Sequence, residues 1–178
     1  MRLGKFPVFF LLLALAALSA AVFGALHNQL SYSVGPDYFH SLKFPQFGIA
    51  ETTAPRLGAA VVGAQASWWA GLLVSLPAFA LGLFTVPRAQ SYLAAGIGAI
   101  GLVIVLATLA ALAGLVGGLI VDATGLLDAV VTPPAAVDRS DFLRAGFMHD
   151  AAYVAAGLGA VLAVWPMRRA RAIDQARA

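Results

Sequence analysis

The chain is 178 residues long, 61% hydrophobic and only 11% charged, and it has no cysteine. Soluble domains carry about 25% charged residues, so the composition excludes a water-soluble monomer and makes lipid the natural solvent. The missing cysteine excludes disulfides, thiolate metal sites, iron–sulfur clusters and cysteine nucleophiles. The pI near 9.7 does not point to nucleic acid, because the cations sit where membrane topology needs them.

Four apolar runs predict an all-α fold, a four-helix transmembrane bundle forming a single domain, with spans at about 7–26, 57–86, 92–121 and 148–167. A span needs about 20 apolar residues. The fourth run, Ala151 to Met167, holds 17 and sits at the lower limit. The positive-inside rule puts both termini in the cytoplasm. Arg2, Lys5, Arg88, Arg168, Arg169, Arg171 and Arg177 then face inward against one acid, Asp174. Lys43, Arg56, Arg139 and Arg144 face outward against seven acids. A bacterial inner membrane is the expected location, with the tail 168–178 cytoplasmic. The first run also fits a signal peptide, with a basic start and small residues near Ser19 to Ala21. Its apolar stretch continues to Leu26, which favours an uncleaved helix.

Small residues let membrane helices approach closely. The second run carries Ala59, Gly63, Ser67, Gly71 and Ser75 every fourth residue, one stripe of a helix. Ala16, Ala20 and Gly24 in the first run, Ala110, Gly114 and Gly118 in the third, and Ala155, Gly159 and Ala163 in the fourth repeat the spacing. These stripes are expected to join the helices of one chain, with a homo-oligomer or a membrane-protein partner as the alternative use. Pro77 is expected to kink the second helix, and Trp68, Trp69 and Trp165 belong to interfacial belts.

The outer loops, 27–56 and 122–147, hold the remaining specificity. In the first, Leu30, Tyr32 and Val34 alternate with polar residues and predict a short strand or extended segment. Gly35-Pro36-Asp37 then turns the chain into a short interfacial helix. Tyr32, Asp37, Tyr38, Phe39, Lys43, Phe44 and Phe47 are the candidate interaction residues of an ordered extracytoplasmic cap. Thr52 or Thr53 is expected to cap the second helix, with Pro55 in its first turn. In the second loop, Asp138 or Ser140 should cap a helix running into the fourth span and leaning on the first loop. Asp141 and Arg144 are spaced to pair.

His27, His40 and His149 all fall on the outer side. With Asp150 they form the candidate ligand set for zinc, copper or haem, although no HxxH or HExxH spacing occurs. No charged residue or histidine stands mid-span, which argues against ion-coupled transport. Gln65, Ser67, Ser75 and Thr108 are the residues available to a polar path. Walker, Rossmann and zincin fingerprints and a nucleophile elbow are absent. The leading expectation is a non-enzymatic accessory or assembly subunit acting through its outer loops, without a cofactor. A metal- or haem-binding protein, a small-molecule channel or transporter component, and a membrane enzyme using outer-face residues are the alternatives.

Overall fold

The computed structural model describes residues 4–177. Arg2, counted above among the cytoplasmic cations, and Ala178 at the end of the tail lie outside the described residues. All regular structure among those residues is helical: α1 (Lys5–Val34), a π-helical turn (Tyr38–Lys43), α2 (Phe44–Phe47), α3 (Pro55–Thr85), α4 (Ala89–Thr124), α5 (Arg139–Leu162) and α6 (Val164–Ala176). α1, α3, α4 and the joined α5–α6 are long and apolar enough to cross a membrane. The protein is an integral membrane protein built as a four-helix bundle. Large apolar side chains such as Phe10, Leu18, Phe84 and Val161 point outward; in water this surface would be a liability, and here it meets lipid.

α1, α4 and the joined α5–α6 outrun their hydropathy signals, while α3 nearly matches its own. α4 has 36 residues, about 54 Å at 1.5 Å per residue, against a hydrocarbon core of about 30 Å. Hydropathy marks only the stretch facing lipid. Beyond it, polar residues continue the helix by pairing with neighbouring helices.

This corrects the expected strand at Leu30 to Val34, which is the last turn of α1. Asn28 donates to the Ala59 carbonyl at 3.0 Å and Gln29 to the Arg56 carbonyl at 3.0 Å. Arg56 donates back to the Gln29 carbonyl at 2.8 Å. Asn28, Ser31 and Gly35 turn inward at helical spacing. α1 stops where Pro36 has no N–H and disfavours helix at Gly35. The expected short helix does follow, but it opens as a π-turn. Pro45 cannot donate to Ser41 and its ring crowds that carbonyl. The ladder therefore widens, and the Phe44 N–H reaches the Phe39 carbonyl. Gly48, at φ 65, ends this segment.

Two helix pairs make the bundle. α1 and α3 meet through their small stripes: Gly24 lies directly against Gly63 and Ser67. A Cβ on Gly71 would stand 2.5 Å from the Ala16 carbonyl oxygen. α4 and α5 pair likewise, with Gly114 against Phe147 and Ala151, and Gly118 against Leu143. Gly159 meets Val103, and Ser75 is buried inside the bundle. α3 runs unbroken through Pro77. The fourth span is broken at Ala163, because Pro166 cannot donate to Leu162.

The pairs join at both ends. At the terminal end, Val8, Leu12, Phe79, Leu83, Tyr92 and Met167 form an apolar cluster. Lys5 donates to the Leu83 and Val86 carbonyls, satisfying groups that the end of α3 leaves free. Asp174 of α6, fully buried, accepts from the Arg88 N–H at 3.0 Å and the Ser91 hydroxyl at 2.7 Å. That places an anion at the N-terminus of α4, where its dipole favours one. At the other end lies the cap.

Two local expectations are corrected there. Thr52 and Thr53 do not cap α3: Ala54 is the N-cap and no side chain bonds the first turn. Pro55, the first helical residue, has no donor to satisfy and holds Ala54 extended. Asp141 and Arg144 do not pair. Arg144 and Arg139 each reach one oxygen of Asp122 at 2.9 Å, where the end of α4 crosses the start of α5. Asp138 does cap α5, accepting from the Asp141 N–H at 3.0 Å.

Candidate functional site

The cap end gathers the three histidines and most of the ring-to-ring contacts of the described residues. The segment 35–54 folds back over α3 and α5. Phe39 is fully buried, with Tyr38 and Phe44 nearly so, against Ala59, Val62, Val137 and Ala145. Asp37 latches the cap to α5. Its N–H donates to the Asp141 carboxylate at 2.7 Å, and its own carboxylate accepts from the Asp138 N–H and the Ser41 hydroxyl. The head of α5 thus leans on the first loop as expected.

These bonds, that from Asp138 foremost, hold the Asp37 carboxyl below its ordinary range. The ionised form is the bonded form. Its contribution is complete above about pH 4, the ordinary carboxylate value. It is lost as pH falls through the lower folded value. Asp37→Ala should therefore lower stability at pH 7 by about 1–2 kcal/mol and flatten the loss of stability below about pH 4. Thermal melts of both proteins across pH 3–7 check this; parallel curves would reject it.

Of the seven residues expected to make an interaction surface, Tyr38, Phe39 and Phe44 are buried inside the cap and hold it together. Tyr32, Asp37, Lys43 and Phe47 are half-buried. Sequence reading expects both outer loops to matter but names interaction residues only in the first. After Gly125, at φ 66, closes α4, Leu126 and Val130 of the second loop stand 72% and 75% exposed.

The histidines divide. His27 of α1 and His149 of α5 meet edge to face with ring centroids 4.7 Å apart. The Tyr38 ring stacks on His149 at 5.4 Å. The Nε2 atoms of both histidines are buried without a hydrogen-bond partner. His40 is not brought to them; it is exposed and pairs with the Tyr32 hydroxyl at 2.9 Å. Asp150 is exposed on α5. Among the described residues no group of three or more His, Asp or Glu stands close enough to hold a metal ion. Two imidazoles supply half of a tetrahedral site.

Below the cap, the two helix pairs stand apart and leave a slot of about 630 Å³. Its walls are mostly small or apolar: Ala16, Ala20, Gly71, Val103, Ala107, Ala152 and Ala156 among them. Gln65, Ser67 and Ser75 line it along α3. Its cap end carries Lys43, Gln46, His27, Asn28 and His149. One helical turn beyond Ser75 and Ala16, toward the terminal end, stand the fully buried Phe79 and Leu12 of the apolar cluster. A second groove of about 580 Å³ lies between α1 and α4, lined by Leu26, Thr108 and Ala111, and shares Ser19, Phe23, His27 and Ile104 with the slot.

Lys43 is a half-buried cation at the cap end of the slot. Its Nζ lies 5.3 Å from the Tyr38 ring centre and donates to the Gln46 side-chain oxygen at 3.2 Å. Burial pulls its ammonium below the ordinary lysine value, against the opposing pull of Asp150. Compared with known proteins, the chain matches no family model, no curated protein and no solved structure.

Proposed function

We propose that this protein is a non-enzymatic accessory or assembly subunit of a larger envelope complex, working from its cap face. In this reading it sits in a bacterial inner membrane with both termini in the cytoplasm, an orientation supported by the strong bias of basic residues to the terminal end. The observation that carries the proposal is the construction of the cap. Tyr38, Phe39 and Phe44 fix a loop as an ordered surface, while Leu126 and Val130 of the second outer loop remain exposed. An ordered loop together with exposed apolar side chains binds a partner with little ordering cost.

Purification in mild detergent should recover a reproducible partner. Leu126→Asp together with Val130→Asp should release it, with helix content and thermal stability unchanged. Recovery of monomer alone under several gentle conditions would overturn the proposal.

A further inference from the structure

We infer that the slot between the two helix pairs is a binding site for one membrane lipid with an anionic phosphate headgroup. An acyl chain lies between the pairs, and the headgroup lies at Lys43 and His149.

The shape comes first. The glycine contacts within each pair draw α1 to α3 and α4 to α5. Contact between the pairs is concentrated in the terminal apolar cluster and in the cap. The space left between runs from Ala16 and Ser75, one turn from the terminal apolar cluster, to Lys43 and Phe47 at the cap. Its volume falls in the range of about 300–1,000 Å³ typical of sites for single small molecules. Trp69 and Tyr153 border it from α3 and α5 and are half exposed on the lipid-facing surface. The opening therefore faces the hydrocarbon, where an acyl chain is the abundant occupant.

Polarity then orients the occupant. The terminal end of the slot borders the apolar cluster, and the cap end carries donors: the Lys43 ammonium, the Gln46 amide and the two imidazoles. His149 is 8% exposed, lines the slot, and its Nε2 has no partner. A buried polar atom without a partner requires an explanation, an absent ligand being one. Among the described residues no carboxylate lies within ion-pair distance of Lys43. Asp37 and Asp141 are engaged in the latch, and Asp150, whose charge pulls on Lys43, is exposed and forms no ion pair with it. A cation without an acidic partner at the polar end of an apolar slot is complementary to a phosphodiester anion, and the cap end is where headgroups lie.

The test offers delipidated full-length protein an equimolar mixture of phosphatidylglycerol and phosphatidylcholine with identical acyl chains, read by native mass spectrometry. One retained lipid is expected, with phosphatidylglycerol preferred about tenfold, the effect of one charge-assisted contact. Lys43→Gln, at a half-buried position, should bring the preference close to one. Ala156→Phe, filling the slot, should abolish retention of both lipids. Because that variant can fail to fold, phosphatidylglycerol with a photoreactive group at the acyl terminus gives a second measurement on the wild-type protein. Cross-links at Val103, Ala107 or Ala152 support the site. Cross-links only at outward residues such as Leu109 and Val116 overturn it, as does equal retention of the two lipids or retention of none.

Discussion

Gly63→Leu is expected to separate α1 from α3 and to cost about 3 kcal/mol or more of stability, at or beyond the upper end of the range for overpacked cores. The two helices touch here backbone to backbone. A Cβ on Gly63 would meet the carbonyl of Gly24 and the nitrogen of Ala25, and a Cβ on Gly24 would meet the carbonyl of Gly63. Neither obstacle is a flexible side chain that can swing away. In lipid no hydrophobic force draws the pair back together, so close packing must supply the attraction. The matched control is Gly101→Leu. Gly101 lies on the exposed face of α4 with open space around it. That change should be neutral or slightly stabilising, since glycine is the weaker helix former by about 1 kcal/mol. Thermal unfolding in detergent and the fraction of monodisperse protein report both. Equal stability of Gly63→Leu and wild type would mean that α1 and α3 do not close on this stripe. The same change should also widen the slot, because Gly63 and Ser67 sit both on the helix contact and on its wall.

The membrane class, the four helices and the stripes that join them were legible because each rests on a periodic pattern: long apolar runs and a four-residue spacing of small side chains. The errors occur where one local pattern admits two periods. Leu30, Tyr32 and Val34 alternate as a strand would. The deciding contacts, Asn28 and Gln29 with α3, are 31 and 27 residues away along the chain. Asp141 and Arg144 have the right spacing to pair, yet Asp122 offers two oxygens from another helix and takes both arginines. The π-turn and the break at Ala163 had readable causes in Pro45 and Pro166. Both prolines sit one turn after the carbonyl they deprive. Of the candidate site, the placing of His27 and His149 at one end of the bundle was legible from their positions at the ends of two spans, but their ring contact at 4.7 Å was not. The slot did not, because no sequence pattern records a gap between helices.

Tyr38→Ala combined with Phe39→Ala should detach the cap. Truncating a fully buried Phe costs about 3–5 kcal/mol, and Phe39 has no exposed surface. Tyr38 adds its stack on His149 and its contact with Phe142. The two rings touch, at 5.7 Å between centroids, so their losses will not add. The double variant should fall several kcal/mol below wild type, close to the whole stability of a typical domain at about 5–15 kcal/mol. Limited proteolysis should begin cutting within 35–54, where the wild-type segment resists. Tyr38→Phe separates the ring from the hydroxyl. No hydrogen bond joins the Tyr38 hydroxyl to another described residue, and the stack on His149 survives the change, so that variant should melt close to wild type. If the double alanine variant keeps its melting temperature, its protease resistance and its partner, the cap is not a folded unit. If it loses all three while Tyr38→Phe keeps them, the aromatic interior of the cap holds the outer surface in place. It then also holds Lys43 and Phe47 over the slot, because both belong to the segment those two rings anchor.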